Sequence, residues 1–217
     1  MNGVTRLTAE QLKRLAQAFH RGAALASDAL ERWLSVPALI SMDSVDQCPL
    51  ETATEVLGQI SDTVGMCVMQ MEGTLSGQMV LAFDDFSGLS LTDQLLAQPP
   101  GTAVAWEEVE VSSALESMNI LGSAYLNGMA QSLSQADASV VLIPSPPSFY
   151  RDFAESLLQT AFMGQAITGS HVLFAKARFE LQGNPLNWTF LLIPDPASLA
   201  TLSRMLSEPR SSTENNS

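Results

Sequence analysis

Five short polar residues, Ser112, Glu116, Asn119, Ser123 and Asn127, recur at helical spacing within Val111–Met129. Projected at about 100° per residue, they form one row beside an apolar row of Leu115, Met118, Gly122, Tyr125, Leu126, Met129 and Leu133. Glu116 and Asn119 fall about 60° apart and one turn along, so both side chains reach the same space. A carboxylate and an amide flanked by small hydroxyls, with no Lys or Arg, differ from the usual solvated helix face. By residue type alone the row still reads as the polar flank of a helix. Other chemistries find less support. Ser113 and Ser117 have no His on the same helix to act as base. His20 and His171 have no Cys, Asp or second His at ligand spacing, and Cys48 and Cys67 are too far apart to pair as metal ligands. The glycine turn at 73–77 lacks the Lys-Ser/Thr ending of a phosphate loop.

The elements that must carry this row read as two similar halves. A capping box, Thr8 with Gln11, opens a helix over 8–34, with apolar residues at Leu12, Leu15, Phe19, Leu30, Trp33 and Leu34. Pro37 limits it, and Val36–Met42 looks extended. A short helix is expected at 50–61. Met66–Glu72 and Gln78–Phe83 read as strands around the turn Gly73–Gly77, and a helix at 87–97 ends before Pro99-Pro100-Gly101. The order then repeats. A helix is expected at Glu107–Leu133, a strand at Ala138–Ile143 and a helix at Asp152–Phe162. Strands follow at Val172–Leu181 and Trp188–Ile193, and a last helix starts at Asp195-Pro196. Trp106-Glu107-Glu108 and Asp84-Asp85 read as solvated helix starts, and Met66, Met69, Met71 and Met79 as core filler. The long helices superpose at a shift of 99, with Phe19 over Met118 and Leu34 over Leu133, and the hairpins at a shift of 110, Gly73 over Gly183. The expected fold is therefore α+β: one pseudo-twofold domain over 1–206, with halves at about 8–100 and 107–206. Both long helices pack on a shared antiparallel sheet, and residues 207–217 form a flexible tail.

Composition narrows the partners. The 217 residues are 46% hydrophobic and 15% charged, enough for a core, and the net charge is −13. Residues 51–120 hold eleven acids and no base, and no Lys or Arg occurs between Arg32 and Arg151. A nucleic-acid backbone or an anionic membrane surface is disfavoured as a partner. No apolar run is long enough to insert in a bilayer. Without a signal-peptide pattern or a disulfide framework, a cytoplasmic location is expected.

Ser112-x3-Glu116-x2-Asn119, running into Ile120-Leu121-Gly122-Ser123 and Tyr125-Leu126-Asn127, resembles the active-site helix of the CheC/CheX/FliY family, bacterial chemotaxis phosphatases that dephosphorylate the response regulator CheY. The family pattern is (Asp or Ser)-x3-Glu-x2-Asn, followed about 22 residues later by Pro. The resemblance extends to the duplicated frame, the hairpin Met71–Gly77, the cluster Pro144-Ser145-Pro146-Pro147 and Leu192-Ile193-Pro194. It implies that Asn119 aligns a water in line with the phosphorus. Glu116 would pair with the regulator's Lys, and Ser112 would support the helix or the docking edge. The family's proline could be Pro144, Pro146 or Pro147; an insertion near Ala124 or at Gln135–Ala138 accounts for the longer spacing. In the first helix Gln17 and His20 stand where the second has Glu116 and Asn119, implying a degenerate first site and one active site per chain. No cofactor of its own is implied, since the Mg²⁺ belongs to the phosphorylated CheY-like partner; a homodimer is left open. The same duplicated fold also serves as a non-catalytic docking module in the flagellar motor switch, the alternative reading, against which the retained Glu116–Asn119 pair speaks.

Overall fold

The computed structural model describes residues 6–49, 63–134, 139–153, 156–157, 159–163, 171–182 and 184–207. The expected helix at 50–61, the insertion at Gln135–Ala138, Gly183 and the tail beyond Ser207 lie outside them.

The first helix, α1 (Ala9–Leu34), begins as its sequence dictates. The Thr8 hydroxyl accepts from the Gln11 N–H at 3.2 Å, and the Gln11 side chain accepts from the Thr8 N–H at 2.7 Å, so two otherwise orphaned donors are satisfied reciprocally. Ser35, at φ 56°, turns the chain into β1 (Ala38–Pro49). The hairpin of β2 (Thr63–Gly73) and β3 (Gly77–Asp84) follows. At Gly73, φ is +114° and any Cβ would run into the Val141 carbonyl, so the turn requires glycine. Asp84 then caps α2 (Asp85–Leu95), its carboxylate accepting from the Ser87 N–H at 2.6 Å. The second half comprises α3 (Glu108–Leu133), β4 (Leu142–Pro144), β5 (Ser148–Phe153), β6 (His171–Leu181), β7 (Asn184–Pro194) and α4 (Pro196–Ser207).

Two expectations need new bounds between α3 and β6. The strand expected at Ala138–Ile143 is reduced to Leu142–Pro144, which pairs only with the end of β2. The helix expected at Asp152–Phe162 starts later than Asp152: Ser148–Phe153 form β5, antiparallel to β2 from Val68 back to Thr63, and residues 156–157 and 159–163 are helical. Phe149, Arg151 and Phe153 share one face of β5 and Tyr150 and Asp152 the other, but neither set is uniformly apolar, and only Phe149 is half-buried. Pro146 and Pro147, which cannot donate to a ladder, separate the two strands.

All seven strands form one antiparallel sheet in the order β1-β6-β7-β3-β2, with β4 and β5 both on the far side of β2. Each half lends a strand to the other: β1 pairs with β6, and β5 with β2. The central ladder joins β3 to β7, and the shift of 110 puts the pseudo-twofold axis between the Val80–Leu191 and Leu81–Phe190 pairs. On one face α1 and α3 bury Leu15, Phe19, Leu30, Met118, Tyr125 and Met129 against Met69, Met79, Phe190 and Leu192. Each such side chain contributes about 1.5–3 kcal/mol by leaving water. The opposite face buries Met66, Val80, Phe162, Phe174 and Leu191. The methionines expected as core filler, Met66, Met69, Met71 and Met79, are all buried. Where the two long helices cross, Gly22 meets Gly128. A Cβ on Gly128 would stand 2.7 Å from Gly22 Cα and 2.9 Å from the Arg21 carbonyl oxygen.

Candidate functional site

Packing fixes the orientation of α3. Ala114, Ser117, Met118, Leu121, Gly122, Tyr125 and Leu126 are buried, whereas Ser112, Glu116, Asn119 and Asn127 are exposed and Ser123 half-buried. The expected apolar row is therefore the inner face, with Leu115 at its half-buried margin. Gly122 lets the helix settle on the sheet, because a Cβ there would lie 2.8 Å from Met69 Sδ. The Glu116 and Asn119 side chains make no hydrogen bond or ion pair with another described residue, so both are open to solvent.

Burial repeats at the shift of 99. Leu15 and Ala114, Ala18 and Ser117, Phe19 and Met118, and Leu34 and Leu133 are buried in equivalent positions. Gln17 and His20 occupy the exposed sites of α1 that match Glu116 and Asn119. The two polar pairs thus belong to different helices. The prolines belong with α3: β4 and β5 pack beside it, Pro144 closing β4 opposite Met71, Pro146 exposed and Pro147 half-buried.

The start of α3 is held by contacts that a reading of solvated helix ends misses. Glu107 opens the helix, its N–H donating to Glu110 Oε2 at 3.2 Å. Asp93, 1% exposed, accepts from the N–H groups of Gly101 at 2.7 Å, Thr102 at 3.1 Å and Ala103 at 2.8 Å, fixing the α2–α3 connection. Asp85 is no free helix-start acid. Arg151 donates to it through Nε at 3.0 Å and NH2 at 2.6 Å, and the Trp106 indole N–H donates at 2.7 Å. The Arg151 hydrogen bond holds the Asp85 carboxyl below its ordinary range, with partial burial opposing and Trp106 assisting. Trp106 lies 4.9 Å from Phe149 and 5.4 Å from Phe83, ring centre to ring centre. The signal for this cluster was available: Arg151 is the one base between Arg32 and Lys176.

Neither a family model nor a curated protein matches the sequence. Solved structures do match the fold. FliY of Thermotoga maritima is 17% identical with a TM-score of 0.70, over 93% of this chain and 98% of that one. FliM of H. pylori, crystallised with SpeE, is 14% identical with a TM-score of 0.63, over 93% and 96%. The chemotaxis protein CheX of Desulfovibrio desulfuricans is 7% identical with a TM-score of 0.52, over 82% and 99%. The chain is thus an α+β protein whose antiparallel sheet carries two long, pseudo-symmetric helices. Its fold is that of the CheC/CheX/FliY family. No helix among the described residues is long and apolar enough to cross a membrane.

Proposed function

We propose that this chain is a chemotaxis phosphatase that hydrolyses the aspartyl phosphate of a CheY-like response regulator. The observation that carries the reading is the pair Glu116 and Asn119, solvent-open on α3 of this fold and without engagement to another described residue. An aspartyl phosphate on a receiver carries its own Mg²⁺ and Lys, so the phosphatase needs mainly to position water, and positioning with electrostatics accounts for most catalysis of phosphoryl transfer. The Asn119 amide donates and accepts, as alignment of an attacking water requires. The Glu116 carboxylate pairs with the regulator's Lys and sets the docking register. Ser112, one turn before Glu116, supports the docking edge. Neither Glu116 nor Asn119 acts as nucleophile. Gln17 offers an amide where α3 has the Glu116 carboxylate, and His20 an imidazole where it has the Asn119 amide, so the first half does not contribute turnover. The protein acts in the cytoplasm, where its regulator resides.

The experiment is a phosphate-release assay against phosphorylated response regulators. Asn119→Ala is expected to lower stimulated release by about 10²–10³, the usual loss for one positioning group, with an unchanged melting curve. The double variant Gln17→Ala/His20→Ala is expected to retain it. Wild-type turnover in Asn119→Ala removes the mechanism. A docking module without turnover is the competing reading, favoured by the likeness to FliM crystallised in a complex; it predicts binding of a regulator with no release above background.

A further inference from the structure

Beside the start of α3 lies an open cleft of about 450 Å³. It is lined by Leu89, Val104, Trp106, Val111 and Phe149, together with the ion-paired Asp85 and Arg151. Large apolar groups remain in water on its lining or close to it in sequence: Val104 is 84% exposed, Phe86, next to Asp85, 70%, and Phe153, two residues beyond Arg151, 61%. Such a patch on a soluble surface marks an interaction site. Asp85 and Arg151 already satisfy each other, with Trp106 bonded to the same carboxylate. What the cleft offers is therefore apolar area rather than a free charge, and its volume suits one or two large side chains.

Charge narrows the occupant further. Glu107 and Glu108, exposed, directly follow Trp106, and Arg151 is committed to Asp85. Two segments of the chain itself fit poorly. Residues 50–62 are apolar in part but carry Glu51, Glu55 and Asp62 and no base, and residues 208–217 carry no large apolar side chain. A complementary partner presents an apolar anchor between Lys or Arg residues. Position completes the picture. Val111 lines the cleft and adjoins Ser112, and Asn119 lies eight residues on, about 12 Å along the helix. A standard interface covers about 800 Å² on each partner, enough to span both.

We propose that this cleft is the anchor point for the protein that brings its phosphoryl group to Asn119: an aliphatic or aromatic side chain of that partner, on a segment bearing Lys or Arg, seats between Val104 and Trp106. This rests on the phosphatase reading above for the partner's identity, while the chemistry of the cleft stands on its own geometry.

The test uses two synthetic amphipathic helical peptides, each with Leu and Phe on one face, one with Lys and the other with Glu on the opposite face. Binding is followed by tryptophan emission, and Trp106→Phe assigns the signal. The Lys peptide is expected to bind saturably, at least tenfold more weakly to Val104→Asp, and the Glu peptide not to bind. Because Val104 is so exposed, its replacement leaves the melting curve in place, which a thermal scan verifies. Asn119→Ala binds the Lys peptide as the parent does. With any regulator that supports turnover, Val104→Asp raises KM at least tenfold. No saturable binding, equal binding by Val104→Asp, or an unchanged KM overturns the cleft. If no regulator is dephosphorylated, the phosphatase reading falls alone and the peptide titration still decides the cleft.

Discussion

Replacing Gly128 with Ala pits helix propensity against packing, and the structure determines which wins. The added methyl meets backbone on every side: Gly22 Cα at 2.7 Å, and Gly22 N and the Arg21 carbonyl oxygen at 2.9 Å. Non-bonded carbons sit comfortably about 3.5–4.0 Å apart, so α1 and α3 must separate by roughly 0.8–1.3 Å at their crossing. No rotamer change can absorb this, because no side-chain end is involved. Propensity alone favours Ala over Gly by about 1 kcal/mol. Overpacking costs about 1–3 kcal/mol, and the separation also loosens contacts such as Phe19 with Tyr125. The expected net effect is a loss of about 1–2 kcal/mol. At about 2–4 °C per kcal/mol for a chain of this size, Tm falls by about 2–8 °C in a calorimetric or circular-dichroism melt. Gly122→Ala is the control. Its Cβ meets Met69 Sδ at 2.8 Å and Met79 Cε at 3.2 Å, both flexible ends, so its stability should stay within about 1 kcal/mol of the parent. A Gly128→Ala protein as stable as the parent would refute the tight crossing.

Two further substitutions probe the start of α3. Asp93→Asn keeps the shape but replaces one acceptor oxygen with a donor, leaving at least one of the three N–H groups of Gly101, Thr102 and Ala103 unmatched; a loss of about 1–3 kcal/mol and faster amide exchange at those residues are expected, and unchanged exchange would contradict this anchoring. Arg151→Gln addresses Asp85, whose folded carboxyl titrates below its ordinary 3.8, so its stabilising contribution is full above pH 3.8 and is lost as pH falls through the folded value. The variant should move the Asp85 midpoint upward in a carbon-detected NMR titration and remove that part of the acid sensitivity, while an unmoved midpoint would show that Arg151 is not its cause.

Much of the frame was legible because it repeats. A capping box, a proline limit and a 3.6-residue apolar period defined α1, the same period defined α3, and the shift of 99 reappears in the burial of both helices at equivalent positions. The hairpins were legible from their glycine turns. Legibility ends where a strand lies at an edge. The far part of β1 is mostly polar, with Asp43 exposed and Ser44–Gln47 half-buried, because among the described residues only β6 flanks it. In β5, Ser148, Tyr150 and Asp152 are exposed, so no strong alternation of apolar and polar residues announces it. The row of Glu116 and Asn119 was found from spacing, whereas the cluster of Asp85, Trp106, Phe149 and Arg151 was not. Its members come from three separate segments, the start of α2, the connection before α3, and β5, which the pairing of β5 with β2 brings together.

The exchange of strands between the halves has a consequence for synthesis. Pro49 at the end of β1 pairs with His171, roughly 120 residues later. At about 5–20 residues per second on a ribosome, β1 waits some 6–25 s for β6, its one neighbour in the sheet among the described residues. A twelve-residue strand left unpaired for that long is an invitation to join another chain. Asp43 and Asp46 interrupt its apolar pattern, and charges at such places resist edge-to-edge aggregation. Asp43 also falls at the break in the β1–β6 register, where in the finished fold it receives Arg178 at 2.7 Å. One carboxylate therefore serves twice: it guards the nascent strand while its partner is still unmade, and it helps fasten that strand once the second half has emerged.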